Sequence, residues 1–119
     1  MHHSKQEPDA HTRFILGVHA DSPGLTERSI GAARTADGRS SYRAFCDFVG
    51  PQPGQTVIDL ACGNGPLGEI LAQRIGAGGR LVGVDPSGAE LALAAERLHG
   101  FPNTRLLLAA AERLPLPDA

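Results

Sequence analysis

Four residues in the middle of the chain have the types and spacing needed to hold a small polar ligand: Asp59, Gly63, Gly65 and Asp85. The two glycines allow a sharp turn and let a ligand lie against bare backbone. Pro66 follows at the expected first position of a helix, whose free N–H groups and positive dipole end favour anionic or polar ligand groups. The sequence therefore predicts a ligand-binding turn between a strand and a helix.

Two ligand classes fit this turn. Asp85 lies about twenty residues beyond it, where an acidic side chain reaches ribose hydroxyls in nucleotide-binding folds. Residues 63–68 match the dinucleotide pattern G-x-G-x-x-G literally. However, Asp59 precedes the first glycine, and its carboxylate would repel a pyrophosphate but attract an ammonium group. The residues favour an amino-acid conjugate of adenosine over NAD, and the dinucleotide stays open as the alternative.

Short apolar and β-branched runs predict strands, and apolar residues at helical spacing between glycine and proline signals predict helices. The predicted strands cover residues 56–60, 80–85 and 104–109, and the predicted helices lie before the first strand and between the strands. Ser87 and Glu90 fit a capping box at the start of the last helix. This alternation predicts an α/β fold with a parallel sheet of about three strands in the order 3-2-1.

Composition excludes several classes of partner. The chain has 119 residues and a formal net charge of −2, with no basic run, so we expect no nucleic-acid partner. No apolar stretch is long enough to span a membrane. Cys46 and Cys62 have no metal-ligand spacing and are expected to be reduced thiols in a cytoplasmic protein. Residues 1–37 are predicted to be an irregular or partly disordered extension, and residues 38–119 the ligand-binding domain.

Three segments resemble, in the right order, the motifs of class I S-adenosylmethionine (SAM)-dependent methyltransferases. Residues 57–65 resemble the first motif, and residues 82–97 resemble the next. Residues 110–118 resemble the Asp-Ala-Glu-x-Leu-Pro-Phe-Pro-Asp stretch of the small-molecule subgroup that includes the ubiquinone and menaquinone biosynthesis methyltransferases. The resemblance covers about residues 40–119. It implies a Rossmann-like three-layer fold and SAM as the cofactor.

The resemblance also implies where the amino-acid and ribose parts of SAM would bind. The backbone of Ala61, Gly63 and Gly65 would line the methionine part. Asp59 would hold the ammonium group, directly or through water. Asp85 would accept hydrogen bonds from both ribose hydroxyls.

At the adenine, the resemblance implies that Pro86 packs on the ring and that the Ala111 N–H faces its edge. The family usually has Asp at the position of Ala110, where the carboxylate accepts from the adenine amino group. Alanine removes that contact, so we expect weaker cofactor binding. No residue is predicted to be a catalytic base, and no metal site is predicted.

The resulting prediction is transfer of a methyl group from SAM to a small-molecule acceptor, by a chain that covers only the N-terminal half of the fold. A truncated sheet would leave the strand at residues 56–60 with a free edge for self-association, and the chain alone would be inactive. The alternatives are an NAD(P)-binding oxidoreductase fragment and a non-catalytic cofactor-binding fragment.

Overall fold

The computed structural model describes residues 9–114, which form a parallel sheet and the helices packed against it. The five α-helices are α1 (Ala10–Asp21), α2 (Leu25–Ile30), α3 (Ser41–Val49), α4 (Pro66–Ile75) and α5 (Gly88–Leu98). The three strands are β1 (Thr56–Leu60), β2 (Arg80–Asp85) and β3 (Thr104–Leu108). A 3-10 turn over Ala111–Arg113 follows β3.

The sheet has the order β1-β2-β3, and both strand pairs are parallel. In the register, Val57 lies opposite Leu81, and Gly83 lies opposite Leu106. Helices α4 and α5 connect successive strands, which is the connection that parallel neighbours require. The predicted α/β class and strand order are confirmed. The parallel arrangement brings the carboxyl ends of all three strands to one edge, where the glycine turn lies.

The core lies between the sheet and the helices. Its buried members come from α3, α4, β2 and α5: Cys46, Leu71, Ala72, Ile75, Leu81 and Leu98. Gly50 ends α3 in the left-handed conformation, with φ of 65°, which redirects the chain into β1.

A free edge at residues 56–60 was predicted for a truncated sheet, and the structure shows that strand β1 is half-buried. Val57 packs against the core, but Ile58 and Leu60 are 46% and 49% exposed. The reason is topological: within the described residues β1 pairs with β2 alone and forms an edge of the sheet. Side chains alternate along a strand, so one face of β1 contacts the helices and the other does not.

The N-terminal segment differs from the irregular extension that the sequence predicted. Residues 10–21 and 25–30 are helical, and α1 packs against α5. Helix α2 has no side-chain cap, and the apolar residues of α1 are only weakly gathered on one face, so the local signals on which a sequence prediction depends are weak. Their position is set by contacts with distant parts of the chain. A boundary near residue 37 between this segment and the ligand-binding domain stays a prediction.

Candidate functional site

The turn between β1 and α4 is the sharp turn that the glycines predicted. Gly63 and Gly65 have φ of 55° and 89°, and Ala61 is also in the left-handed region with φ of 57°. A non-glycine residue in this region costs about 1–2 kcal/mol and is found preferentially at functional sites. The N–H of Cys62 donates to the carbonyl of Val84 at 2.9 Å, which ties the turn to the end of β2.

Gly65 has a packing role. A Cβ atom placed on it would lie 3.3 Å from Leu98 Cδ1 and 3.4 Å from Ala94 Cβ. It lines neither of the two cavities described below. Gly65 therefore allows α5 to approach the turn, whereas Gly63 lies at a cavity wall.

Asp85 ends β2 and connects three parts of the site. Its side chain is buried, its Oδ2 accepts from the Gly63 N–H at 3.0 Å, and its Oδ1 accepts from the Ser87 N–H at 2.8 Å. These bonds hold the turn and the start of α5 at the end of the strand. The contact with Ser87 agrees with the simpler hypothesis that Asp85 caps α5. Each carboxylate oxygen can accept a further hydrogen bond, so a contact with ribose hydroxyls stays a prediction.

Asp59 has a carboxylate oxygen that lacks a hydrogen-bond partner among the described residues. This oxygen, Oδ2, is buried. Burial, and then the negative charge of Asp85, raises the pKa of Asp59 to about 6. A buried carboxylate without a partner is costly, and a cationic ligand group would supply the missing interaction.

Asp59 faces a cavity of about 350 Å³ at the carboxyl ends of β1 and β2, which we call the acidic cavity. Four carboxylic acids line it: Glu27, Asp59, Asp85 and Glu90. The rest of its wall consists of Tyr42, Leu60, Ala61, Cys62, Gly63, Asn64, Pro66 and Leu67. Within the described part of the chain, no Lys, Arg or His lines this cavity. It is suited to a cationic or zwitterionic group.

Glu27 enters the acidic cavity from α2. Its carboxylate accepts from Asn64 Nδ2 at 2.7 Å and from Arg97 Nη2 at 2.9 and 3.0 Å. Partial burial raises the pKa of Glu27, but the hydrogen bonds from Asn64 and Arg97 outweigh it and hold the pKa below its usual value. Burial and the charge of Glu27 raise the pKa of Tyr42, so its phenol stays protonated at neutral pH.

Glu90 has a different partner from the one that the capping box predicted. The Ser87 half is confirmed, because the Ser87 side chain accepts from the Glu90 N–H at 3.3 Å. The glutamate half is wrong. Glu90 Oε1 accepts from the Gly24 N–H at 2.7 Å. The Ser87 N–H, which the capping box assigned to Glu90, donates to Asp85 instead. Glu90 is 2% exposed, so a tertiary contact has replaced the local one.

A second cavity, of about 280 Å³, lies beside the first and is called the apolar cavity here. Its lining is His11, Ile15 and Leu16 from α1, together with Ala61, Pro86, Ala109, Ala110, Ala111 and Glu112. Ala61 lines both cavities. The apolar cavity has the small side chains and the proline surface that a flat ring needs for close packing.

The structure brings together six of the seven residues predicted to bind the cofactor. Asp59, Gly63 and Asp85 line the acidic cavity alone. Pro86 and Ala111 line the apolar cavity alone, and Ala61 lines both. Their individual contacts with a cofactor stay predictions. Sequence patterns did not assign Glu27, Asn64 or Glu90 to the site, since their partners lie far away along the chain.

Cys62 is not suited to be a nucleophile, a hypothesis that its place beside a helix N-terminus suggests. It is 8% exposed, and burial followed by the negative charge of Asp59 raises its thiol pKa to about 12. Among the side chains that the structure describes, no three of His, Cys, Asp or Glu are grouped to hold a metal ion. No helix in that range has the length and apolar character to cross a membrane.

Comparison with known proteins identifies the family. A family model described as a methyltransferase domain matches residues 57–119. The chain belongs to this family. The match begins inside β1 and includes the glycine turn, Asp59 and Asp85, so the matched segment supplies most of the lining of both cavities. The resemblance inferred from the three sequence motifs is confirmed.

Two curated relatives and one solved structure are similar to this chain. The chain is 39% identical over 69 residues to 2-phytyl-1,4-naphtoquinone methyltransferase of Thermosynechococcus vestitus, covering 58% of this chain and 31% of that protein. It is 39% identical over 59 residues to ribosomal RNA small subunit methyltransferase H of Trichlorobacter lovleyi, covering 50% and 19%. The chain thus spans a third or less of these relatives.

The solved structure is a SAM-dependent methyltransferase from Aquifex aeolicus. It superposes with a TM-score of 0.62 at 19% identity, covering 87% of this chain and 51% of that one. At this identity the likeness shows the fold alone, and it confirms a Rossmann-like methyltransferase fold. It extends over most of the present chain, beyond the segment that the family model matches.

Proposed function

We propose that this methyltransferase domain binds SAM and that the protein transfers its methyl group to a small-molecule acceptor. The observation that carries the proposal is Asp59, which lines the acidic cavity and whose buried Oδ2 has no partner among the described residues. The SAM ammonium group would supply the missing charge. Residues 38–119 would form the N-terminal part of the cofactor-binding domain.

The two cavities match the two ends of SAM. The acidic cavity would take the methionine part, beside the backbone of Ala61 and Gly63, and the apolar cavity would take the adenine. Asp85 lines the acidic cavity and connects to Ser87, next to Pro86 of the apolar cavity. That position between the two ends suits the predicted contact with the ribose.

An NAD-dependent oxidoreductase is the less favoured candidate. A pyrophosphate at the glycine turn would lie among the carboxylates of the acidic cavity, and no basic side chain among the described lining residues would offset their charge. SAM carries an ammonium and a sulfonium group, which are attracted by the same carboxylates. A preference for NAD over SAM in a binding measurement would reverse this choice.

The small-molecule acceptor is supported by the quinone methyltransferase relative and by the motif at residues 110–118. An RNA acceptor is the competing proposal, since one relative is named as a ribosomal RNA methyltransferase.

Methyl transfer is an in-line displacement at the sulfonium methyl and depends on alignment and exclusion of water. We name no catalytic base, and a non-catalytic cofactor-binding module stays the third candidate. The two free thiols support a reducing compartment, and we propose the cytoplasm.

The free edge of β1 supports self-association as a further part of the proposal. Ile58 and Leu60 are about half exposed on a strand that pairs on one side only within the described residues. Such an edge is a template for pairing with another chain. Sedimentation velocity over a concentration series should show a dimer that Ile58→Lys weakens. A monomer at every concentration would contradict this part.

The binding experiment is calorimetric titration of the purified chain with S-adenosylhomocysteine, 5′-methylthioadenosine and NAD. We expect S-adenosylhomocysteine to bind more tightly than 5′-methylthioadenosine, because only the former carries the ammonium group, and NAD not to bind. Tighter binding of NAD would contradict the proposal.

The acceptor class is then tested on the full protein with labelled SAM, a panel of quinones and phenols, and ribosomal RNA. Labelling of RNA alone would select the competing acceptor.

A further inference from the structure

The N-terminal wall, defined as residues 22–31, is bonded to the acidic cavity at two separate points. At the first, the N–H of Gly24 donates to Glu90 Oε1 at 2.7 Å, across 66 positions of the sequence. Gly24 and Glu90 are both buried, so water does not compete for this bond. A buried N–H that loses its acceptor costs about 1–3 kcal/mol, which makes the contact important for holding the wall in place.

At the second point, Glu27 of the wall contacts the glycine turn itself. Asn64 lies in that turn, is 5% exposed, and donates to Glu27 at 2.7 Å. Arg97 of α5 holds the same carboxylate with two contacts of 2.9 and 3.0 Å. The turn therefore depends on a residue of the N-terminal wall for the position of its central side chain.

We propose that Glu90 and Glu27 are positioning residues for the methionine part of the cofactor. Glu90 acts through the backbone of Gly24 and holds the wall closed, and Glu27 acts through Asn64 and holds the turn. The proposal rests on the proposed function, since it assigns the acidic cavity to the methionine part of SAM. It adds that cofactor affinity depends on a segment outside residues 57–119, the range that the family model matches.

The effect should be confined to one end of the ligand. Glu27 and Glu90 line the acidic cavity, whereas the apolar cavity is lined by α1, Ala61, Pro86 and residues 109–112. If the wall opens, water enters the acidic cavity and the competent fraction of the protein falls, so the apparent dissociation constant rises in proportion. A ligand that lacks the amino-acid part should be much less affected.

Glu90→Met and Glu90→Gln form the first test pair. Methionine has a similar length but no acceptor for the Gly24 N–H, whereas the glutamine carbonyl can still accept it. We expect Glu90→Met to weaken S-adenosylhomocysteine binding about fivefold or more, because the buried N–H loses its partner. The same variant should change 5′-methylthioadenosine binding less than about twofold, and Glu90→Gln should largely restore the affinity.

Two glycine variants form the second pair and leave all carboxylates in place. Gly24 and Gly38 have φ of 81° and 85°, so alanine is strained similarly at both. At Gly24 the added Cβ would also lie 3.1 Å from Asn64 Nδ2, whereas nothing lies within 4 Å at Gly38. We expect Gly24→Ala, but not Gly38→Ala, to weaken S-adenosylhomocysteine binding selectively.

Hydrogen exchange of the ligand-free chain tests the wall without any ligand. In the wild type, the Gly24 N–H should exchange slowly, and Glu90→Met should accelerate exchange in residues 22–31 while β2 stays protected. Equal protection in both proteins, or equal loss of affinity for both ligands, would overturn the proposal while leaving the proposed function intact. If the wild type binds neither ligand, the proposed function and the positioning role both fail.

Discussion

The acidic cavity and the apolar cavity meet at Ala61, but different kinds of interaction build them. In the acidic cavity, backbone N–H groups and Arg97 hold three carboxylates in place, and Asp59 keeps a buried oxygen without a partner in the described structure. The apolar cavity is lined mainly by alanines, a proline and side chains of α1. Charge should therefore govern binding at one end of the ligand, and close packing at the other.

The largest expected effect comes from removing the charge of Asp59. Asp59→Asn should weaken S-adenosylhomocysteine binding by about 1.5–3 kcal/mol, the range for hydrogen bonds to charged groups, and leave 5′-methylthioadenosine binding nearly unchanged. Calorimetry on both ligands measures the contrast. Glu96→Gln, an exposed acid on α5, is the control and should change neither affinity. Equal weakening of both ligands would remove the distinction between the cavities.

The same substitution should stabilise the ligand-free chain. The pKa of Asp59 is about 6 in the folded protein, above its ordinary value of 3.8, so the folded state holds the proton more tightly than the unfolded state. The stability that this residue contributes is therefore present at low pH and lost as pH rises from about 4 to 6. At pH 8 the melting temperature of Asp59→Asn should exceed that of the wild type, and the gap should shrink at pH 4. A lower melting temperature at pH 8 would contradict the unpaired charge.

Asp85 should affect both ends of the ligand, because it lies between them. Asp85→Ala should weaken S-adenosylhomocysteine and 5′-methylthioadenosine alike by about 1–3 kcal/mol, through loss of acceptors for the ribose and for the Gly63 N–H. Asp85→Asn, which keeps one acceptor oxygen, should lose less. If Asp85→Ala binds both ligands normally, Asp85 only caps α5 and holds the turn.

The smallest effect is expected in the apolar cavity. Ala110→Asp should tighten both ligands by up to about 1.5 kcal/mol, because the new carboxylate can accept from the adenine amino group. Ala77→Asp adds the same charge at an exposed turn away from both cavities and serves as the control. Unchanged or weaker binding by Ala110→Asp would mean that the adenine does not lie beside residue 110.

The sequence was enough to predict the elements from α3 to β3, and the reason is that their signals are local. Pro66 begins α4, the Ser87 side chain caps α5, and Gly50 ends α3, each within a few residues of the feature it predicts. The glycine turn and Asp85 were found in the same way. These features require no knowledge of distant partners.

The N-terminal wall could not be predicted, because its partners lie far away in the sequence. Glu90 fitted a local capping box, but its carboxylate instead accepts a hydrogen bond from the buried Gly24 N–H. The Ser87 N–H donates to Asp85. Glu27 carries no pattern that points to Arg97, 70 positions later. The acidic cavity therefore depends on long-range pairing, whereas residues 109–111 of the apolar cavity follow directly from a strand end.

Proton release on ligand binding tests the central claim, the pairing of Asp59 with the ligand's ammonium group, most directly. At pH 6 about half of the Asp59 carboxyls are protonated in the free chain, and an adjacent cation should lower that pKa and expel the proton. Titration of S-adenosylhomocysteine in two buffers of different ionisation enthalpy should show release of about 0.5 proton per ligand at pH 6, and little at pH 8. Asp59→Asn, and 5′-methylthioadenosine with the wild type, should show none. Binding of S-adenosylhomocysteine without proton release at pH 6 would contradict the account.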